Sequence, residues 1–416
     1  MRQVSGHRRS VTYRLALASV AVGTALGASI MTFGGSPGAG ATTRTGRTVR
    51  AGRAGSGSAG SRTSKETTAT CSGGKGVVPA SFVTAVKDAE ATTTPWVGPK
   101  SSPKPEKGVL VVDVSQTEAN TGNDGAANGL AQAAKLLGWS YKEINGGGSL
   151  SGMVAAINQA IALKPQAIAL ESVPTTGTNP ELEKAASQGI ALVGWHVATN
   201  PGKIKGTPLF WNVSTAPFTI AKIAAEYAIV ASCGKAHAIE LTTMNYPIDQ
   251  RKNDGFDAAF KQSPTSSIRI DNYSFGTRAT LTGPAISAVV AKTHTVNWFL
   301  TINDSYYTYA IPALKSAGLK SGQIHLDSAG DGSPAAFQRI RQGDYQTITV
   351  PEPLNEQGWI MATEIIRALH HSAPFDFVTQ PHLTVKADVD ADGGAHNKYT
   401  PPNTYEKHYE ELWGVK

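Results

Sequence analysis

Amide, carboxylate, aromatic and cationic side chains recur in this chain directly after short apolar runs. Asp113, Gln116, Asn120 and Asn123 end or follow VLVVDV (109–114), Glu171 and Ser172 follow 167–170, and Trp195-His196 follow 191–194. Further along, Tyr246 to Lys252 follow a run ending at Leu241, and Phe275 follows 268–273. Asn303-Asp304 follow 296–301, Asp327 to Asp331 follow 323–326, and Pro351-Glu352 follow 345–350. Amides donate and accept, carboxylates accept from hydroxyls, and an indole face covers the apolar side of a ring, so the set suits a polyhydroxylated ligand. Taken singly, each of these residues also reads as a helix N-cap or a solvated loop, which is common for Asp and Asn after a strand.

Catalytic patterns are missing from the same chain. The α/β body has no GxSxG elbow, HExxH, CxxC or GxxxxGK[ST], so neither an enzyme nor a cofactor is expected. Gly146-Gly147-Gly148 lacks the GxGxxG spacing of a pyrophosphate loop. Asp388, Asp390, Asp392 and Gly393 match the first half of a calcium loop, but the twelfth position is Tyr399 where a bidentate Glu is needed. No metal site is expected, and His370-His371 at a helix end read as structural.

The apolar runs that position these residues alternate with helical periodicity. Val109 to Val114, Ser140 to Ile144, Ala167 to Leu170 and Ala191 to Gly194 read as strands, with helices over 124–137, 149–163 and 180–188 between them. The series restarts after the turn-rich 200–207, with strands at 236–241, 268–273, 296–301 and 323–326 and helices at 218–232, 250–261, 283–291 and 307–317. A strand at 345–350, a helix at 356–369 and a strand at 382–386 complete it. Nearly all-apolar strands imply parallel sheets covered by helices on both faces. The expected fold is therefore α/β, with two Rossmann-like lobes joined by several crossovers around a hinged cleft.

Charge separates the N-terminus from this body. The formal net charge is +7, yet residues 1–70 hold ten basic side chains and one acid, leaving 28 basic and 30 acidic groups beyond them. The body thus has no excess of cations for a nucleic-acid backbone, and none is expected as partner. Arg2, Arg8, Arg9 and Arg14 precede an uncharged apolar run, 15–33, and then small residues; residues 1–41 read as a signal peptide, with a retained N-terminal anchor as the alternative. Residues 42–75 lack apolar periodicity and read as a disordered leader. The chain is expected to be exported, extracellular or held at the cell envelope. Two cysteines, Cys71 and Cys233, permit one disulfide in an oxidising compartment, the alternative being two unpaired thiols.

The order of elements from Lys107 to about Asp390 resembles the type I periplasmic-binding-protein superfamily, specifically the sugar-type ABC-transporter solute receptors related to ribose-binding protein. VLVVDV (109–114), KPQAIALESV (164–173), QGIALVGWH (188–196), RKNDGFDAAF (251–260), NWFLTINDSYYTYAIPALKSAGLK (297–320) and DGSPAAFQRIRQGDY (331–345) carry the resemblance. It implies one lobe from 107–208 plus 352–380, a second from 209–351 plus 381–395, and a C-terminal extension over 396–416. By the same resemblance Asn303 and Asp331 fall on ligand-binding positions, and Glu352 stands where many relatives have Gln. Lys252 takes the place of an Arg that fixes a hydroxyl, Trp195-His196 replace an Asp-Arg pair, and Glu171 holds a common Asn or Asp position. Asp113, Gln116, Asn120 and Asn123 are all candidates from the first loop. The implied function is capture of a small, sugar-like ligand for an ABC permease, with a sensing subunit for a membrane kinase or chemoreceptor as the alternative. An enzyme using Glu171, His196, Asp331 and Glu352 as acid and base is a distant third.

Overall fold

A computed structural model describes residues 78–91, 95–272, 278–292 and 295–415. The proposed signal and leader, Cys71 and Phe275 lie outside the described residues. No helix among the described residues is long and apolar enough to cross a membrane.

In chain order, a first helix α1 (Ala80–Ala89) precedes β1 (Leu110–Ser115), α2 (Thr121–Leu137), β2 (Ser140–Asn145), α3 (Leu150–Ala162), β3 (Ala167–Glu171), α4 (Asn179–Ser187), β4 (Ala191–Trp195) and β5 (Trp211–Val213). The five strands form one parallel sheet in the order β2-β1-β3-β4-β5. Val112, Val114, Ile168 and Leu170 bury against α3 and α4, while Val111, Ala167, Ala169 and Val193 face the opposite side. Two apolar faces per strand are what a parallel sheet between helix layers requires.

The second half contributes α5 (Pro217–Ala231), β6 (His237–Thr242), α6 (Pro247–Phe260), β7 (Ser267–Asn272), α7 (Arg278–Lys292), β8 (Trp298–Thr301), α8 (Tyr307–Ser316), β9 (His325–Ser328), α9 (Pro334–Gln342) and β10 (Gln346–Thr349). Its parallel sheet runs β10-β9-β8-β6-β7. The chain then returns through α10 (Leu354–Leu369), which packs on α2 of the first lobe, before α11 (Val389–Gly393) and α12 (Tyr405–Trp413). Among the described residues three segments, 214–216, 350–353 and 370–383, link the two sheets with their covering helices, and the chain crosses again near each end. The expected two-lobed α/β architecture is what the structure shows.

Three local readings differ. Trp211–Val213 joins β4, so the first sheet extends past 208. Helix α1, which the expected bounds assigned to neither lobe, buries Phe82, Val86 and Ala89 in the second lobe. Residues 382–386 make a single antiparallel bridge, Thr349 to Thr384, in place of a strand. The DxDxDG stretch leads from Asp388 into helix α11, with Asp390 paired to Arg341 and Asp392 to His382 and Thr384.

Helix α10 lies so close to α2 that neither tolerates a side chain at the crossing. A Cβ on Gly358 would meet the backbone of Ala126, Gly129 and Leu130. Helix propensity favours Ala over Gly by about 1 kcal/mol, whereas overpacking costs about 1–3 kcal/mol, and here rigid backbone is the obstacle. Gly358→Ala is expected to lower the denaturation midpoint; an unchanged or higher midpoint in urea would refute this packing.

Candidate functional site

The carboxyl ends of the two sheets face each other, the place where open α/β sheets bind ligands. Between them lies a cavity of about 30 Å³, enough for about two waters, so the lobes stand closed. Gln116, Asn120, Ser172 and His196 line it from the first lobe. Tyr246, Asp249, Lys252, Asn303 and Asp331 line it from the second. A Cβ on Gly122 would lie 2.6 Å from Asp331 Oδ2, so the glycine at the start of α2 is what lets the lobes approach here.

Each lining group is held by its own element. Asn120 caps α2, its Oδ1 accepting from Gly122 N at 3.1 Å, and its Nδ2 donates to Asn123. Asn123 is fully buried and also accepts from Ser172 Oγ at 2.8 Å, so it orients two lining residues without lining the cavity. Ser172 and His196 both have positive φ, 54° and 56°, a conformation costly for side-chain-bearing residues that turns them off their strands toward the cleft. Asn303 spends its Oδ1 on Ser305 N, leaving amide donors for a ligand. Lys252 Nζ donates to Ile302 O at 2.9 Å and stands 3.7 Å from Asp331 Oδ1. Burial raises the carboxyls of Asp331 to about 6 and of Asp249 to about 7, with Lys252 opposing the rise in each.

Behind His196 the cleft connects to the hinge. Glu352 Oε2 accepts from His196 Nε2 at 3.1 Å, from Thr215 N at 3.1 Å and from Gln357 Nε2 at 3.0 Å. Burial resists ionisation of Glu352, but the neighbouring His196, Lys252 and Gln357 outweigh it and hold its carboxyl down at about 2. Gln357 Nε2 also lies 3.1 Å from Thr215 Oγ1 and 3.0 Å from Thr379 Oγ1, and its Oε1 accepts from Trp195 Nε1 at 2.7 Å. Thr215, Glu352 and Thr379 belong one to each crossover, so a single buried amide ties all three to the cleft wall.

Asp113 and Glu171 sit apart from the cavity. They point with Val111, Ala167 and Ala169 toward the α2 face, and both are fully buried. Tyr141 Oη donates to Asp113 Oδ2 at 2.7 Å. Glu171's oxygens find no donor around them, and a proton shared with Asp113 supplies one. Burial raises both, Asp113 to about 7.

Of the expected ligand residues, the structure therefore gathers Gln116, Asn120, His196, Lys252, Asn303 and Asp331 around one cavity, with Glu352 and Asn123 behind them. Trp195 is not among the cavity-lining residues; it is fully buried and stacks on His196 at 3.6 Å. Asp113 and Glu171 likewise lie buried outside the cavity lining. Cys233 is disulfide-bonded, and its proposed partner Cys71 is outside the described residues. Ser172, Tyr246 and Asp249 were legible only as loop members, and Gln357 gave no signal beyond a polar residue on an apolar helix. His196, Asp331 and Glu352 could bring ligand atoms within 4.8 Å of one another for a metal ion, but Lys252 already places a positive charge against Asp331.

Two outcomes follow from these groups. In Asp113 the folded carboxyl holds its proton up to about 7 against an ordinary 3.8. Its contribution to stability is thus complete below the ordinary value and lost as pH rises through about 7. Asp113→Asn should flatten the stability profile over that window in urea titrations; an unchanged slope would contradict the shared proton. Gln357→Leu leaves Glu352 and Trp195 Nε1 short of partners, at about 1–3 kcal/mol for an unsatisfied buried group, measurable as a lower denaturation midpoint that Gln357→Glu does not fully restore.

Comparison with known proteins agrees with this geometry. Galactofuranose-binding protein YtfQ of Escherichia coli is 25% identical over 243 residues, 56% of this chain and 75% of that protein. A solute-binding protein of an ABC transporter from Agrobacterium vitis, solved with allitol, superposes with a TM-score of 0.59 at 19% identity, covering 68% of this chain and 98% of its own. One from Actinobacillus succinogenes, solved with D-allose, gives 0.59 at 17% identity, with 68% and 99% covered. At such identities the structures speak for the fold alone. The sequence profile described as "Periplasmic binding protein domain" matches residues 112–371, well over half of the chain, and the protein belongs to that family.

Proposed function

We propose that the protein is an exported solute-binding protein that captures a small, sugar-like ligand between its lobes and delivers it to an ABC permease. The observation that carries this reading is the cavity whose walls come from both lobes, with amide, imidazole, ammonium and carboxylate groups converging on it. Contacts to both walls favour the closed state over the open one, which makes closure a population shift driven by ligand. Hydroxyls suit the mixture: Asn303 offers donors, Asp331 and Asp249 accept, and Lys252 donates. The permease as recipient is supported by the relatives, whose descriptions are of ABC-transporter solute-binding proteins. Export is supported by the pattern of residues 1–41.

A thermal-shift screen of the purified chain with sugars, polyols, nucleosides and amino acids tests the reading. A ligand at 100 times its Kd stabilises by about 2.7 kcal/mol, and the expected result is a raised Tm for a sugar or polyol, galactofuranose, D-allose and allitol included, with no turnover. A shift only with amino acids, or none with any compound, would contradict it. For the ligand found, Lys252→Met and Asn303→Ala should each weaken binding by about 1–3 kcal/mol; unchanged affinity by titration calorimetry would place the ligand elsewhere.

A further inference from the structure

Both ends of the described chain lie outside the family match of 112–371, and both pass from one lobe to the other. At the N-terminal end α1 buries Phe82, Val86 and Ala89 in the second lobe, where Ala89 O accepts from Leu383 N at 2.8 Å. By Trp96 the chain is on the first lobe, stacked on His408 of α12 at 4.7 Å and edge-on to Tyr409 at 5.0 Å. At the C-terminal end the crossing runs the same way. Arg341 of α9 donates to Asn397 Oδ1 at 2.6 Å, and Tyr399 packs with Phe337 and Ile340 while stacking on His382 at 4.6 Å. The neighbouring Lys398 instead donates to Asn355 Oδ1 at 3.1 Å, and Asn403 Nδ2 donates to Glu356 Oε1 at 3.1 Å, both at the start of α10. Helix α12 then buries Tyr405, Tyr409 and Trp413 around Trp359, with the two indoles stacked at 5.2 Å.

We infer that these two segments form a strap that limits how far the lobes open. Only three residues separate Tyr399 on the second lobe from Asn403 on the first, so the two can stand at most about 14 Å apart with the chain fully extended. Just ahead of this stretch, His396 and Lys398 flank an interlobe cavity of about 210 Å³, whose opposite walls are Thr121 and Asp124 of α2 and Gly332 and Ser333 of the second lobe. Opening the cleft separates those walls and draws on the same short slack. The two straps also lock each other, because Trp96 rests on the helix that ends the second. Three crossovers gathered at Gln357 allow bending and twisting about a narrow axis. Two further ties anchored by buried aromatic rings restrict both motions. A chain held near its closed form loses less population to open states, so any cleft ligand binds more tightly and leaves more slowly.

The test uses the full chain without ligand and so does not depend on what the cleft binds. Lys398→Met with Asn403→Ala removes the polar anchors, and Tyr409→Ala with Trp413→Ala undocks α12. Small-angle scattering should show a larger radius of gyration and a broader pair-distance distribution in both variants than in the unaltered chain. Should the aromatic variant fail to fold, the polar-anchor variant alone decides. A wild-type scattering profile in the folded variants would overturn the strap, as would an unaltered chain that already samples wide opening.

Discussion

The Glu352 carboxylate is the group on which the site and the hinge both depend. It is fully buried, and three donors converge on one of its oxygens: an imidazole in the cleft, the backbone of the first crossover and the amide of Gln357. A buried carboxylate is costly without such partners, so its ionisation fixes where His196, Thr215 and Gln357 must stand. Through it His196 on the cleft wall is joined to Thr215 and Gln357 where the crossovers meet. The second carboxylate oxygen has no donor in this closed arrangement.

The two sheets make this junction possible. Parallel strands end together, so every strand delivers its following loop to the same edge, and two such edges opposed give a cavity lined by residues distant in sequence. The helices at the junction carry glycine at their close approaches: Gly122 against the side chain of Asp331, and Gly358 against the backbone of α2. Stability and function draw on the same contacts here, since α10 is at once the core partner of α2 and the carrier of Gln357.

Much of this was legible in the sequence. Asn303 and Asp331 come to the cavity because a polar residue just beyond an apolar run has few places to go in a parallel sheet except the cleft, whereas Lys252, inside α6, was singled out by the family resemblance. Trp195, Asp113 and Glu171 fall outside the cavity lining, which position after a strand does not show and strand alternation does. Side chains two apart share a face, which puts Asp113 with Val111, Glu171 with Ala169, and Trp195 with Val193, toward the helices. Helix α1 was legible from Phe82, Val86 and Ala89 at helical spacing, but its Gly- and Thr-rich surroundings hid it. Gln357 could not be read at all, because its partners come from three crossovers whose meeting point exists only in the folded chain.

The central claim is that one ligand touches both lobes and that the hinge transmits its grip. Amide hydrogen exchange with and without a saturating sugar found by screening tests it most directly. The account predicts simultaneous protection of 116–123 in the first lobe, 302–305 and 330–333 in the second, and the crossover amides around Thr215. Protection confined to one lobe, with the crossover unchanged, would contradict it.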